Sequence, residues 1–158
     1  MAAAASRVYI VSMTRVSVSA AITLIQIKAG ATVPLQIIRL VASQTSSTTS
    51  AMQAIQLNRK SAAATVTSFT PLLTGPVTDP AASSVGGTAA TGTNASAEGT
   101  DGAIVKQDVF NVLNGWQYLP TPKEYVFVDA AGIIGLKFPV APGSATTYTC
   151  DAVYEELA

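Results

Sequence analysis

The residue types that carry most enzyme chemistry are scarce in this sequence. It contains no histidine and a single cysteine, Cys150. Ser-His-Asp and Cys-His nucleophilic arrangements therefore cannot form, and neither can the usual zinc sites. With one cysteine no disulfide can close within the chain, so the fold is not expected to depend on oxidation. We expect neither a metal nor a cofactor.

Carboxylates are the remaining candidates for general acid–base chemistry, because two-carboxylate hydrolysis requires acids that converge in a cleft. The candidates are Asp108, Glu124, Asp129 and Asp151. They fall on separate predicted strands or turns, and scattered acids of this kind are usually solvated. A carboxylate hydrolase stays open as an alternative, but we favour a protein that is not an enzyme.

The composition indicates a chain that packs against other protein surfaces. Charged residues make up 11% of the sequence, against roughly 25% in an average soluble domain. A surface with so little charge repels neighbouring molecules only weakly and so favours association. The alternative is a general bias toward alanine and threonine that has no functional meaning.

Charge is distributed unevenly along the chain. Residues 1–78 carry six basic residues and no acid, whereas residues 79–158 carry three basic and nine acidic residues, so the halves have formal charges of +6 and −6. The two halves are expected either to pair within one fold or to meet between subunits. Neither half has a dense basic run, which disfavours nucleic-acid binding. No apolar run reaches the roughly 20 residues of a membrane helix.

Alternating apolar and polar residues predict an all-β fold. About nine or ten short segments show this period of two, with turn signals between them. In residues 145–155 the alternation places Tyr148, Cys150, Ala152 and Tyr154 on one face. The expected architecture is an antiparallel β-sandwich or a jelly-roll-like domain.

The length predicts a single β domain over residues 1–158. Residues 1–6 are predicted to be a flexible N-terminal arm. Residues 71–102 are rich in Gly, Ser, Thr and Pro and are predicted to form an extended loop or arm, either mobile or crossing a neighbouring subunit. Leu72, Leu73 and Val77 would give such an arm apolar side chains to bury.

The most distinctive stretch is Asp108–Pro122, which contains the only tryptophan. Asn114-Gly115 is typical of a tight hairpin turn and predicts that the preceding strand pairs with the segment after it. Because Trp116 and Tyr118 can bury a large area, we interpret them, with Pro120 and Pro122, as a packing anchor of the fold or of a subunit contact. The alternative is a carbohydrate or polyproline platform.

Four segments resemble the head decoration, or cement, proteins of tailed bacteriophages. They are RVYIVSMTRVSVSAAITLIQIKA at 7–29, the Thr- and Pro-containing residues 70–83, DVFNVLNGWQYLPTPKE at 108–124 and TYTCDAVYEEL at 147–157. The resemblance covers most of the chain loosely. It implies a β-rich virion protein on the outer capsid surface, usually a homotrimer, that stabilises the lattice of the major capsid protein.

The resemblance also implies a surface that contacts the capsid or another subunit. The candidate contacts are Arg7 and Arg15, from the basic N-terminal part, and Leu72, Leu73 and Val77. Solvated arginines on strand faces are the alternative for Arg7 and Arg15. The alternative function is a carbohydrate-binding or adhesin-type β domain of a phage tail or head fibre.

Overall fold

The computed structural model describes residues 7–75 and 81–157, and these residues form twelve strands and one short 3₁₀ helix. The 3₁₀ helix spans Pro122–Glu124. The strands are β1 (Val8–Val18), β2 (Thr23–Lys28), β3 (Leu35–Gln44), β4 (Met52–Ala62), β5 (Thr65–Ser68), β6 (Leu72–Leu73), β7 (Gly92–Ala97), β8 (Thr100–Asn111), β9 (Trp116–Tyr118), β10 (Val126–Val128), β11 (Ile133–Lys137) and β12 (Thr146–Glu156).

The strands form two antiparallel sheets with a shared core, which confirms the predicted antiparallel β-sandwich. Sheet A has the order β10-β3-β12-β1-β6, and β9 also pairs with β3. Sheet B has the order β5-β7-β2-β11-β4-β8. Residues of both sheets contribute to one continuous hydrophobic cluster.

The core follows directly from the alternation in the sequence. Every second residue of β12 from Thr146 onward is buried, including Tyr148 and Tyr154. Tyr148 packs edge-on against Phe138 with ring centroids 4.8 Å apart, and Tyr154 lies 5.8 Å from Tyr9. Such aromatic pairs contribute about 0.5–1.5 kcal/mol each beyond the area that they bury.

Sheet B contains a two-stranded ribbon that bends back over the sheet. The ribbon consists of β4 paired with β8, continued by β5 paired with β7. The pairing continues from Ala62 opposite Thr100 to Thr65 opposite Ala97. Because β7 then pairs with β2 while β8 pairs with β4, the ribbon must turn sharply between these pairs. Gly99 makes this possible, since a Cβ there would lie 2.1 Å from the carbonyl oxygen of Ala62.

The predicted hairpin at Asn114-Gly115 is wrong. β8 pairs with β4 in sheet B, whereas β9 pairs with β3 in sheet A, so the turn passes from one sheet to the other. Asn111 organises the turn, because its side-chain oxygen accepts the N–H of Leu113 at 3.0 Å and its carbonyl accepts the N–H of Asn114. Gly115 has a φ of +70° but Asn114 does not have a positive φ, so the two-residue hairpin turn does not form.

Residues 71–102 do not form one continuous loop. They contain β6, β7 and the first residues of β8. Glycine serves a close approach here, because a Cβ on Gly92 in β7 would lie 2.3 Å from the carbonyl oxygen of Thr67. Residues 76–80, which include Val77, lie outside the described residues, as do the predicted arm at residues 1–6 and residue 158.

Candidate interaction surface

Part of the outer face of sheet A carries apolar side chains where a solvated sheet would carry polar ones. In β1, Tyr9 and Val11 face the core and are buried, so Val8 and Ile10 face outward. The exposed face of an antiparallel sheet normally alternates to polar residues. An outward face with valine and isoleucine is therefore typical of a sheet that a partner covers.

Three residues on neighbouring strands form what we call the apolar row: Leu72 of β6, Ile10 of β1 and Val153 of β12. Ile10 lies directly opposite Leu72 on one side and Val153 on the other. Directly opposed residues have Cβ atoms about 4.5–5.5 Å apart, so the three side chains form a continuous strip. Leu72 is 57% exposed, while Ile10 and Val153 are half-buried.

A second row crosses the same face and mixes apolar and polar side chains. Phe127 of β10 lies opposite Gln36, Gln36 lies opposite Glu155, and Glu155 lies opposite Val8. The Gln36 side-chain amide donates to the Glu155 carboxylate at 2.8 Å. Phe127 is 44% exposed. The face thus combines exposed apolar area with polar groups that can fix an orientation.

Of the predicted contact residues, Leu72 lies on β6, the edge strand of sheet A, whereas Arg7 lies beside β12. Arg7 immediately precedes β1, and its carbonyl accepts the backbone N–H of Glu156 at 2.9 Å. Leu73 belongs to the same strand as Leu72, but it lies opposite Tyr9 and packs against the core. The structure therefore places Leu72 on the surface and turns Leu73 inward, away from any partner.

Arg15 lies at the other end of β1. The eight residues that separate it from Arg7 span about 26 Å in a strand, so one small contact cannot include both. Arg15 is exposed and occupies an irregularity in the β1–β12 register with a φ of +52°. Its backbone N–H donates to the Thr149 hydroxyl at 3.2 Å.

Trp116 joins the two sheets. It is 8% exposed, belongs to the core cluster, and its indole N–H donates to Oδ2 of Asp108 at 3.2 Å. Asp108 lies on β8 of sheet B and Trp116 on β9 of sheet A. This hydrogen bond lowers the pKa of Asp108, with help from the Val109 N–H and nearby Lys106.

The other residues of the aromatic–proline segment differ in their burial. Tyr118 stacks on Trp116 with ring centroids 6.3 Å apart and planes 9° from parallel, and it is half-buried against the core. Pro120 is half-buried. Pro122 is exposed at the first position of the 3₁₀ helix, where the fixed φ of proline suits a helix start. Pro122 is therefore not part of the packing.

The four acids considered for hydrolysis lie on four different elements. Asp108 is on β8, Glu124 ends the 3₁₀ helix, Asp129 follows β10 and Asp151 is on β12. The Glu124 carboxylate accepts the backbone N–H of Thr121 at 3.3 Å, as in a capping box, and it also accepts the Thr121 hydroxyl at 2.9 Å. Among residues 7–75 and 81–157, no three acids or cysteines come together as a group that could hold a metal ion.

A charged cluster under the ribbon bend was not anticipated from the sequence. Lys60 has a fully buried side chain, and its Nζ lies 2.7 Å from Asp101 and 3.3 Å from Glu98. Lys137 makes ion pairs of the same lengths with both acids. Thr23 adds hydrogen bonds to Glu98 from its N–H and its hydroxyl. We call Lys60, Lys137, Glu98 and Asp101 the charged cluster.

The pKa values in the charged cluster reflect this mutual stabilisation. Burial alone would raise the pKa of Glu98, but hydrogen bonds from Thr23 and the two lysine charges outweigh it and lower the pKa. Burial would also raise the pKa of Asp101, and Lys137 and Lys60 lower it. Lys60 from the positive half of the sequence thus pairs with acids from the negative half within one chain.

A second buried polar group ties the segment before β7 to the last strand. The Glu156 carboxylate accepts the backbone N–H groups of Ser83 and Ser84 at 2.9 and 2.8 Å, and the Ser84 hydroxyl at 2.9 Å. The Ser84 hydroxyl also bonds to the Tyr154 hydroxyl. Glu156 is 4% exposed. No spacing in the sequence indicates this group, because its members are some 70 residues apart.

Comparison with protein-family models, curated proteins and solved structures gave no match. Among the described residues no helix has the length and apolar character needed to cross a membrane.

Proposed function

We propose that this chain is a structural virion protein that binds the outer surface of a bacteriophage capsid and stabilises the lattice of its major capsid protein. The proposal joins the resemblance in the sequence to one observation in the structure, the apolar row on the outer face of sheet A. The resemblance implies a homotrimer, and a trimer engages a lattice at three points, so that weak contacts add to a strong attachment.

The apolar row supports a protein partner in particular. A strip of Leu72, Ile10 and Val153 offers apolar area but no cleft, which suits a flat protein surface better than a small molecule. Arg7 immediately precedes β1, the strand that carries Ile10. It supplies a charge at the rim, where charged groups steer association and fix orientation more than they add affinity.

Binding of the purified protein to capsids tests the proposal. The capsids are those of the phage whose genome encodes this chain, and their decoration protein is removed beforehand. The Val153→Glu variant should lose bound copies at least about tenfold by co-sedimentation, because it places a charge within the apolar row. Val140→Glu is the matched control, since Val140 is 62% exposed and lies outside both sheets.

Two results would contradict the proposal. One is unchanged binding of folded Val153→Glu protein, and the other is failure of the unmodified protein to co-sediment with these capsids. Circular dichroism and a thermal melt of each variant separate loss of the contact from loss of the fold. A mass measurement in solution tests the implied homotrimer separately.

The geometry does not favour the carbohydrate-binding alternative at Trp116 and Tyr118. Trp116 is buried and its indole N–H is already bonded to Asp108, whereas a sugar platform needs an open ring face. A glycan array with the unmodified protein and Trp116→Ala distinguishes the two functions. A glycan signal that disappears in a folded Trp116→Ala variant would support the alternative instead.

A further inference from the structure

Strand β8 is a long, open edge of sheet B. It is the longest strand of the described chain, with 12 residues, and it ends the strand order of its sheet. It pairs with β4 on one side, and no strand among the described residues pairs with the other side. Ile104 and Val109 on it are more than half exposed.

Natural edge strands are usually short or blocked by proline or unmatched charges, because an open edge invites pairing with another chain. β8 contains no proline, and its central part carries one lysine and one aspartate, Lys106 and Asp108. Their side chains are 40% and 45% exposed. The register with β4 shifts three times in the first half of β8 but is regular from Lys106 to Asn111, so this regular part of the edge is open to a second strand.

The sequence of β8 is complementary to itself when it is paired antiparallel about Gln107. Residues 105–109 read Val-Lys-Gln-Asp-Val. With Gln107 opposite the Gln107 of a second copy, Lys106 lies opposite Asp108, and Val105 lies opposite Val109. Opposite charges and apolar pairs in directly opposed positions stabilise a sheet, whereas like charges destabilise it.

We propose that β8 pairs with β8 of a second copy of this chain, antiparallel and about a two-fold axis at Gln107. This pairing would join two sheets B edge to edge. The self-complementary charges favour a second copy over an unrelated strand, since the two Lys106–Asp108 contacts arise only when a strand meets itself. The proposal does not depend on capsid binding.

The faces of β8 agree with this register. Gln107 and Val109 lie opposite Gln56 and Ala54 of β4, whereas Lys106 and Asp108 lie opposite Leu57 and Ile55. Lys106 and Asp108 therefore share the inward-facing side, at its open rim, and Gln107 and Val109 share the outer face. The register between β4 and β8 shifts just before Lys106, which limits regular pairing to a short segment. Association should therefore be weak and depend on concentration.

Cysteine cross-linking tests the register directly. In a Gln107→Cys variant the new thiol would face its own copy across the two-fold axis. The added oxidant is copper phenanthroline with oxygen. It reaches the new thiol but not Cys150, which is 1% exposed. Thr100→Cys is the matched control, because it is exposed on the same strand but lies seven residues from the axis.

Gln107→Cys should form covalent dimers at least about tenfold faster than Thr100→Cys, since pairing raises the effective concentration of one thiol near the other. Equal rates for the two variants, or no dimer from either, would overturn the proposed pairing. A faster rate for Thr100→Cys would do the same.

Charge variants at the axis provide a second, independent measurement. Gln107→Lys and Gln107→Glu each place like charges opposite each other in a homodimer, so each alone should associate more weakly than the unmodified chain. A mixture of the two places opposite charges together and should form mixed dimers in native mass spectrometry. Equal self-association of all three proteins would contradict the proposal. Capsid co-sedimentation of Gln107→Lys shows whether the pairing and the capsid contact are separate, because a shared surface would lose both.

Discussion

Replacing Lys60 by methionine tests whether the charged cluster holds the ribbon bend. The Lys60 side chain is fully buried, with its Nζ 2.7 Å from Asp101 and 3.3 Å from Glu98. Its stem also passes over Gly135, where a Cβ would lie 2.7 Å from the Lys60 Cε. Methionine keeps most of that stem and removes the charge, so the substitution isolates the electrostatic contribution from the packing.

The expected loss is about 2–3 kcal/mol in the free energy of unfolding at pH 7. Breaking a buried ion pair by removing one partner costs about 3–5 kcal/mol. We expect a smaller loss in the free energy of unfolding here, because the side chains of Glu98 and Asp101 are about 30% exposed and keep Lys137 as a partner. Lys106→Met is the control, because its ion pair with Asp108 is long, at 3.9 Å, and exposed. It should cost at most about 1 kcal/mol.

The pH dependence provides the sharper measurement. The folded-state pKa values of Glu98 and Asp101 are lowered, so their stabilisation is present above the unfolded pKa values, near 4, and is lost as the pH falls through the folded values. The difference between the unmodified protein and Lys60→Met should therefore shrink from pH 5 downward. Urea unfolding followed by the fluorescence of Trp116 measures it.

Two outcomes would refute this reasoning. One is a cost for Lys60→Met no larger than that for Lys106→Met at pH 7. The other is a difference between the unmodified protein and Lys60→Met that stays constant from pH 7 to pH 3. The second outcome would mean that the cost of the substitution does not come from the ion pairs with Glu98 and Asp101.

Two further predictions concern the aromatic core. Trp116→Ala should cost about 3–5 kcal/mol in urea unfolding followed by circular dichroism, because it removes a buried side chain and leaves Asp108 without its indole donor, and an unchanged midpoint would contradict the assigned burial. Tyr148→Phe should leave the melting temperature unchanged or raise it, since the buried Tyr148 hydroxyl has no hydrogen-bond partner among residues 7–75 and 81–157. Tyr154→Phe should lower it, because its hydroxyl bonds to Ser84, and the reverse order of the two variants would contradict these hydrogen bonds.

The strands could be predicted from the sequence because burial and side-chain alternation share a period of two. β12 shows this most clearly, since the face predicted from the alternation, Tyr148 to Tyr154, is the buried face. Local patterns suffice where the sheet environment imposes the same period on each strand.

Strand pairing could not be predicted in the same way. Asn114-Gly115 carries a local preference for a hairpin, but β8 and β9 find their partners in different sheets. This local preference contributes less free energy than the burial of Val112 and Trp116 on either side of the turn. The composition of residues 71–102 is misleading for a related reason: Gly92 serves a close backbone approach that only the folded ribbon creates.

The candidate surface depends on register, which alternation alone does not contain. Ile10 and Val153 could be assigned to outward positions of their strands, but their adjacency follows from the pairing of β1 with β12. The charged cluster is a stronger case, because Lys60 and Glu98 lie 38 residues apart and meet only through the ribbon bend. The residue types of these groups can be read from the sequence, but the contacts between them arise only from the fold.

The two surfaces differ in the kind of partner that they suit. The outer face of sheet A presents side chains, so its specificity would come from the fit of Leu72, Ile10 and Val153 against another surface. The edge of β8 presents backbone groups, and its specificity would come from register and from the matched charges of Lys106 and Asp108. Because the two lie on different sheets, one chain could use both at once. A protein that attaches to a lattice through one sheet and to its own copies through the other would need little surface charge, which agrees with a charged fraction of 11%.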